Sequence, residues 1–263
     1  MSFDDETALR ATDGGGYEGH VAEGWWTPRG PLGGYVMAIV LRGITLAVDD
    51  VSRAVRSLTM HFLRPPQAGP VTVKPVVERA GRSLTTASAR LEQDGKLLAL
   101  ALAAFSTPWE SPLLDEAPMP EVEPPDGGRP VVPEGMGPEF TQRLTMQGRF
   151  GDPAFSGSER SEVGGWLGLA EERELDATSV ALLADAWWPA PWPRLTELRP
   201  APTIELTVLF RAPLPRPDSL LLGRFTTKLV RDGFFEEDGE LWAADGTLVA
   251  QSRQLALLMA PLG

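Results

Sequence analysis

The sequence predicts an α+β protein made of two tandem copies of one unit, in which an antiparallel sheet wraps around a single long helix. Three observations predict this class. Each half of the chain holds one apolar helix candidate followed by alternating strands, and the same order of strands and turns recurs in both halves. A proline-rich segment separates the halves. A shared order of features at a nearly constant offset is typical of a duplicated unit.

Composition excludes several classes of function. The 263 residues carry 24 Lys and Arg against 36 Asp and Glu, a formal charge of −12, which disfavours nucleic acid and anionic membranes as partners. Cysteine is absent and only His20 and His61 occur, which excludes disulfides, cysteine nucleophiles and thiolate or histidine-rich metal sites. The acidic start lacks a signal-peptide pattern, and the apolar run Leu97–Phe105 is about half a membrane span. We therefore expect a soluble cytoplasmic protein without metal or cofactor.

The first repeat, residues 1–107, is predicted to begin with a short strand near residues 18–26. A helix follows from Leu32 to about Val48, and because it is apolar nearly all round it should be buried on most sides. Four strands come next, with turns at Gly81 and Asp94-Gly95, since glycine tolerates the positive φ that tight hairpins require. These strands are predicted at 57–65, 73–79, 84–93 and 96–105.

Residues 108–138 are predicted to form an extended linker. The segment contains nine prolines and is rich in Glu, Asp and Gly. Proline removes a backbone donor and blocks both a helix interior and a central strand. The linker therefore divides the chain into its two halves.

The second repeat, residues 139–263, follows the same plan. Short strands are predicted at 140–149 and 161–170, before a helix from Ala177 to Trp188 that Asp176 caps and Pro189 stops. Four strands follow, with turns at Gly233 and Asp245-Gly246. They are predicted at 203–213, 219–230, 234–243 and 247–259.

The two helices differ in a way that indicates a site. Gly33-Gly34 open the first helix, which has no carboxylate, whereas the second has Asp185 but no glycine pair at its start. Burying an unpaired charge is expensive, so Asp185 needs a function unless it pairs with an arginine or faces the surface. Exposed amides at a helix start attract negative charge. We infer one competent site per chain, shared between the repeats, and one degenerate site.

Four segments of the sequence resemble one family. They are Gly33-Gly34-Tyr35-Val36, His61-Phe62-Leu63-Arg64-Pro65-Pro66, Arg79-x-Gly81-Arg82-Ser83 and Asp245-Gly246-x-Leu248-Val249-Ala250-x-x-x-Gln254. Their ordered set is similar to double-hotdog acyl-CoA thioesterases of the thioesterase II type, over roughly residues 18–108 and 140–260. The resemblance implies a double hotdog fold, two tandem repeats that each wrap a sheet around one helix. It also implies hydrolysis of fatty acyl-CoA thioesters.

The resemblance implies a set of site residues as well. In this family an Asp, a Thr and a Gln position the attacking water, and these match three positions of this chain: Asp185, Thr203 and Gln254. The start of the first helix supplies the implied oxyanion and substrate-binding residues: Gly33, Gly34 and Tyr35. Acyl-CoA is the implied substrate, and a homo-oligomer is expected by analogy.

Other interpretations stay open at this point. A non-catalytic acyl-CoA or lipid-binding module would share the fold, and so would an enoyl-CoA hydratase, which is expected to need a histidine beside its Asp. Thr207 and Gln251 are nearby alternatives for the Thr and Gln. His61 is expected to be a satisfied structural histidine. Trp187 and Trp188 are expected either to line an acyl pocket or to fill the core.

Overall fold

The computed structural model describes residues 1–127, 131–132, 137–214 and 220–261, and it confirms the α+β double hotdog. The first repeat contains helices α1 (Phe3–Glu6) and α2 (Gly33–Val48). Its strands are β1 (Arg10–Ala11), β2 (Tyr17–Val21), β3 (Trp26–Thr27), β4 (Gly30–Pro31), β5 (Ala54–Phe62), β6 (Gly69–Ala80), β7 (Leu84–Gln93) and β8 (Lys96–Ser106). A 3-10 turn spans Glu23–Trp25.

The second repeat contains helix α3 (Ala177–Leu183) and 3-10 turns at Glu139–Arg143 and Trp192–Arg194. Its strands are β9 (Leu144–Phe150), β10 (Glu162–Leu169), β11 (Thr203–Phe210), β12 (Leu221–Thr226), β13 (Val230–Arg231), β14 (Phe234–Trp242) and β15 (Leu248–Leu257).

One antiparallel sheet joins the two repeats. Within the described residues it has thirteen strands, and β3 and β4 form a separate pair. The spatial order β2-β6-β7-β8-β5 of the first repeat recurs as β10-β12-β14-β15-β11 in the second. The repeats meet edge to edge where β5 pairs with β11, and the hydroxyls of Thr59 and Thr207 lie 2.9 Å apart across this seam. The two halves therefore share one continuous sheet.

Helix α2 is buried nearly all round, as its composition predicts. Its side chains from Tyr35 to Leu41 are almost inaccessible, because the inner face of the first repeat's sheet and α3 cover them. Its N-cap position, Leu32, has no side chain that bonds the first amides. The helix ends at Val48, and its C-cap residue Asp49 adopts the left-handed conformation with φ 48°. No N-cap side chain bonds the first amides of α2. These amides can therefore donate hydrogen bonds to an acceptor from another part of the chain.

Helix α3 is shorter than the sequence predicts. Asp176 caps it as expected, and a capping box with Ser179 satisfies the first amides. The prediction that it continues to Trp188 is wrong, because the helix ends at Leu183. After this point the amides of Asp185 and Ala186 bond three residues back instead of four, which tightens the chain into a turn. Asp185 therefore lies in a turn beyond the helix.

Two other strand predictions also need correction. The single strand predicted over 219–230 is broken between β12 and β13, and residue 219 lies outside the described residues. The Lys228 amide bonds the side chain of Glu236 there, so it does not join the ladder. The first half of the strand predicted at 140–149 is a 3-10 turn.

The described part of the linker lies on the outer face of the second repeat. Residues 107–127 contain no helix or strand. The indole N–H groups of Trp166 and Trp242 donate to the carbonyls of Glu123 and Ala117, at 2.9 and 3.1 Å. The linker therefore covers apolar sheet surface and satisfies buried donors.

Candidate active site

The carboxylate of Asp185 meets the start of α2. Its Oδ2 accepts a hydrogen bond from the Gly34 amide at 2.7 Å, and the Gly33 amide also donates to this carboxylate. The two repeats thus contribute one group each to the same contact. The uncapped first turn of α2 favours a negative charge at this position, because its amides and helix dipole both point at the carboxylate.

Both glycines are required by the closeness of this contact. A methyl group on Gly33 would lie 2.8 Å from Asp185 Oδ2. A methyl group on Gly34 would lie 2.5 Å from the Leu182 carbonyl oxygen, which belongs to α3. The pair therefore lets α3 and the turn after it approach the tip of α2.

The protonation of Asp185 is set by burial. Loss of solvent raises the pKa of this carboxyl from 3.8 to about 7, and the hydrogen bonds from the Gly34 and Gly33 amides act in the opposite direction. A carboxyl group with a pKa near 7 exchanges protons at neutral pH, which suits a general base.

A second polar chain faces the same interior. The Thr203 hydroxyl donates to Gln254 Oε1 at 2.7 Å, and Gln254 Nε2 donates to Glu237 Oε1 at 2.6 Å. The other oxygen of Glu237, Oε2, accepts from the Ala190 amide at 2.6 Å. Ala190 lies shortly after Asp185 in the chain. The hydrogen bonds from Thr203 through Gln254 and Glu237 therefore end in the segment that also carries the Asp185 carboxylate.

A β-bulge brings Thr203 into this network. Leu206 faces the core, and simple alternation from Leu206 would turn Thr203 to the outer face. The register of β11 against β15 shifts between Thr203 and Glu205, which rotates the Thr203 side chain inward. Thr207 lies on the outer face, where its hydroxyl contacts Thr59 and Glu205.

Glu237 is the residue that the sequence reasoning missed. It is 5% exposed, and burial raises its pKa from 4.5 to about 7, while the bonds from Ala190 and Gln254 lower it and the charge of Asp185 raises it further. The signal was present in β14, because Phe235 and Leu241 alternate inward with the position of Glu237. A glutamate on the buried face of a strand needs partners.

The structure does not bring the Tyr35 side chain to the carboxylates. Its ring is fully buried and stacks on Trp25 with centroids 5.1 Å apart. Its hydroxyl donates to the Glu6 carbonyl at 2.8 Å and accepts from the Ala22 amide at 3.1 Å. Only the backbone of Tyr35 lies beside the glycine pair. His61, which is expected from the sequence to be a structural and not a catalytic histidine, is exposed on β5.

Aromatic side chains follow Asp185 directly. The rings of Trp187 and Trp188 lie 5.3 Å apart, and Trp187 is 7% exposed. Within the described residues their indole N–H groups have no hydrogen-bond partner. Trp187 and Trp188 thus form an aromatic pair in the segment that follows Asp185, whereas Trp25 packs in the core against Phe3 and Tyr35.

The start of α3 is closed, unlike the start of α2. Asp176 caps its amides, and Arg173 bonds Asp176 at 2.7 Å. Asp4 of α1 pairs with Arg173 at 2.9 Å and with Arg42 of α2 at 2.8 Å. This ion network occupies the helix end that a second site would need.

The described ranges contain neither a metal-binding cluster nor a membrane-spanning helix. No cluster of three or more His, Cys, Asp or Glu side chains in these ranges has the geometry to bind a metal ion. No helix there is long and apolar enough to cross a membrane.

Comparison with known proteins supports the same interpretation of the fold. A model of the N-terminal domain of acyl-CoA thioesterases matches residues 22–106, and a model of their C-terminal domain matches residues 115–258. No curated protein matches the chain.

Solved structures of similar proteins cover the whole chain. A hot dog protein of unknown function from Alicyclobacillus acidocaldarius is 29% identical, with a TM-score of 0.89 over 100% of this chain and 99% of that one. A structure assigned as a thioesterase II from Thermobifida fusca is 28% identical, with a TM-score of 0.85 over 99% and 98% of the two chains. An acyl-CoA thioesterase II from Mycobacterium marinum shares the fold at 19% identity, with a TM-score of 0.79 over 99% of each chain. The chain therefore belongs to the acyl-CoA thioesterase family and is a thioester hydrolase.

Proposed function

We propose that the protein hydrolyses acyl-CoA thioesters to the free acid and CoA, with Asp185 as the general base. The observation that carries this proposal is the contact between Asp185 Oδ2 and the Gly34 amide at 2.7 Å, in a site that raises the pKa of the acid to about 7. A base and a set of helix-tip donors lie side by side there, which is the pair of groups that thioester hydrolysis requires.

The reaction balances with these groups alone. The oxygen of a water molecule attacks the thioester carbonyl carbon while Asp185 takes one of its protons. The resulting oxyanion collapses, the carbon–sulfur bond breaks, and the CoA sulfur leaves. The protonated Asp185 then gives its proton to that sulfur. The products are the free acid and the CoA thiol, and the ionised form of Asp185 is regenerated.

The start of α2 is the proposed oxyanion site, with the amides of Gly33, Gly34 and Tyr35. In the free protein the Gly33 and Gly34 amides bond Asp185. The substrate oxygen therefore takes over the Gly34 amide from the carboxylate. Since that hydrogen bond lowers the pKa of Asp185, its loss makes the carboxylate a stronger base when substrate arrives.

Thr203 and Gln254 are proposed to hold the attacking water opposite Asp185. Their hydrogen bond supports this role, because the Thr203 hydroxyl gives its only proton to Gln254 and keeps its lone pairs available. A water that donates one proton to Asp185 and the other to Thr203 turns its own lone pair toward the substrate.

Release of free thiol from a panel of acyl-CoA esters tests the proposal. We expect Asp185→Asn to lower kcat by about 10²- to 10⁴-fold, because a general base contributes on this order. Asp49→Asn is the matched control: Asp49 lies at the other end of α2 in a left-handed conformation that Asn tolerates. Saturable acyl-CoA binding without any thiol release would support a non-catalytic binding protein instead.

We also propose a cytoplasmic homo-oligomer that acts on fatty acyl-CoA. Leu100, Leu102, Leu209 and Leu255 support an assembly, because they project from the outer face of the central strands and are exposed. Light scattering of the wild type and of Leu102→Glu tests it: we expect an oligomer for the first and a smaller species for the second. If the wild type and Leu102→Glu have the same mass, this face does not form the contact between subunits.

A further inference from the structure

Glu237 is a buried charge that water activation by Asp185, Thr203 and Gln254 does not use. It lies on the inner face of β14, directly across from Gln254 of β15. Both of its oxygens accept hydrogen bonds, one from the Ala190 amide and one from Gln254 Nε2. A leucine would fill this space without a desolvation cost, so the carboxylate needs a reason beyond packing.

The two acceptor oxygens fix the orientation of Gln254. The ionised form of Glu237 only accepts hydrogen bonds, so it must face the amide nitrogen of Gln254, and Gln254 Oε1 must then face Thr203. Thr203 then has to donate its single proton to this oxygen. Its remaining capacity is as an acceptor, and an acceptor binds a hydrogen of water and leaves the water lone pair free.

We propose that Glu237 is a positioning residue that sets the direction of the hydrogen-bond chain Ala190–Glu237–Gln254–Thr203, so that Thr203 accepts a proton from the attacking water. This inference rests on the proposed thioester hydrolysis and assigns that reaction one more residue. Glu237 itself touches neither substrate nor water. It acts through Gln254 and Thr203.

A neutral amide at position 237 reverses the chain. In a Glu237→Gln variant the new side-chain oxygen must face the Ala190 amide, so the new side-chain nitrogen faces Gln254. Gln254 turns over to accept this bond, and its own nitrogen then donates to Thr203. The Thr203 hydroxyl now points its proton at the water oxygen and engages the lone pair that should attack the thioester. The anchor to Ala190 is kept, so the fold does not lose a bond.

The charges around Glu237 agree with this role. Asp185 is the acid whose charge acts most strongly on it, and Asp238 adds a weaker effect from the next residue. Asp238 pairs with Arg253 and lies near Lys228 on the outer side of the sheet. The buried carboxylate of Glu6 is paired with Arg143, whereas within the described residues neither Asp185 nor Glu237 is bonded to a cation.

A swap of the two side chains provides the test. Thiol release is measured for the wild type, Glu237→Gln, Gln254→Glu, the double variant Glu237→Gln/Gln254→Glu, and the outer-face control Glu240→Gln. We expect Glu237→Gln to lower kcat by about 10- to 100-fold with little change in KM. The double variant rebuilds a donor at 237 and an acceptor at 254, so Thr203 again donates inward. We expect it to recover about fivefold or more over Glu237→Gln.

The outcomes separate this inference from the proposed function. A wild type without thiol release, or an unaffected Asp185→Asn, defeats the general-base mechanism before Glu237 is considered. If Asp185→Asn is impaired while Glu237→Gln retains the wild-type kcat, or the double variant is no better than Glu237→Gln, then the inference about Glu237 is overturned.

A spectroscopic measurement on the wild type keeps the inference testable even if a variant fails to fold. The side-chain amide signals of Gln254 are followed by ¹H–¹⁵N NMR between about pH 6 and 8, the range around the pKa of Glu237. We expect one amide proton to be shifted strongly downfield by its carboxylate partner and to move as Glu237 titrates. Gln254 signals that resemble a solvent-exposed amide and do not move with pH would contradict it.

Discussion

The Asp185 carboxyl responds to two opposing influences, burial and the helix-tip amides, and burial is the stronger. Its pKa of about 7 means that a large share of this carboxyl, the proposed general base, is protonated just below neutral pH. We expect kcat/KM for acyl-CoA to fall about tenfold for each pH unit below 7 and to level off above it, because only the ionised form accepts a proton. Initial rates of thiol release from about pH 5 to 9 measure this profile.

The pH dependence of kcat/KM also depends on the charge of Glu237. Its ionised form disfavours a second negative charge on Asp185, since the two carboxyls interact. We expect the acid limb of the rate profile to shift to lower pH in Glu237→Gln, and we expect Asp49→Asn to superpose on the wild type. A rate that does not change between about pH 5 and 8 is incompatible with Asp185 as the base.

The charge of Glu237 also lowers stability at high pH. The pKa is about 7 in the folded chain against 4.5 as the ordinary value, so the unfolded chain releases the proton first as pH rises. Stability from this group is therefore full below about 4.5 and is lost as pH rises through 7. We expect Glu237→Gln to be more stable than the wild type by roughly 1–3 kcal/mol at pH 8. Urea unfolding should show this gain shrinking toward about pH 5, and a variant less stable at every pH would contradict it.

The contact between α2 and α3 depends on Gly34. A methyl group there would meet the carbonyl oxygen of Leu182 at 2.5 Å and its Cα at 2.9 Å, and these backbone atoms cannot rotate away. We expect Gly34→Ala to force the helices apart and to destabilise the protein by roughly 1–3 kcal/mol. Thermal unfolding measures the loss.

Substitution of Gly33 should separate activity from stability. A methyl group at Gly33 meets the side chains of Asp185 and Phe62, which can move by a few tenths of an ångström. We therefore expect Gly33→Ala to keep most of the stability and to lose activity as the carboxylate is displaced. Gly14→Ala is the control, since its nearest neighbour would be 3.9 Å away. Equal melting temperatures for Gly33→Ala and Gly34→Ala would count against this distinction.

Hydrophobic alternation and turn residues predicted most of the strands. The strand 84–93 has the predicted bounds, and 96–105 differs by one residue, because alternation and the turn at Asp94-Gly95 define both ends. Features that depend on contacts between distant parts of the chain could not be predicted in this way. The bulge at the start of β11 arises from pairing with β15, and no local signal for it is visible in the sequence. Without it Thr203 would face outward, so the match to the family motif and not the strand period predicted its place.

Glu237 shows where the residue-level reasoning was incomplete. Its strand was predicted, and its inward position follows from the alternation of β14. The run of three acidic residues at 236–238 is typical of a solvated edge, and this pattern does not distinguish the buried Glu237 from its two half-buried neighbours. The end of α3 at Leu183 is not visible in the sequence either, because the chain after it tightens into a turn where Asp185 contacts the start of α2.

The duplication explains why the chain needs both repeats. The first supplies an uncapped helix start and the second supplies the carboxylate that meets it. The corresponding start of α3 is capped by its own Asp176 and covered by an ion network with Asp4. Capping stabilises α3 but consumes the donors that an oxyanion would use. With two repeats, the start of α3 can be stabilised by a cap while the start of α2 keeps its amide donors available for a ligand.

The site needs the helix start of one repeat and the carboxylate of the other, but it does not need an unbroken chain between them. We therefore predict that the linker can be cut without loss of activity. The seam between β5 and β11 and the packing of α2 on α3 hold the halves together, and Leu113 and Leu114 in the linker are strongly exposed. Exposed segments without secondary structure tolerate insertion and cleavage. We expect a protease site inserted between Leu113 and Leu114 to be cut without separating the fragments on size exclusion and with about the same rate of thiol release. Each repeat expressed alone should be inactive, because Gly34 and Asp185 would no longer meet. Fragments that separate after cleavage would show that the β5–β11 seam and the packing of α2 on α3 do not hold the halves together. An active isolated repeat would show that the site does not need both repeats.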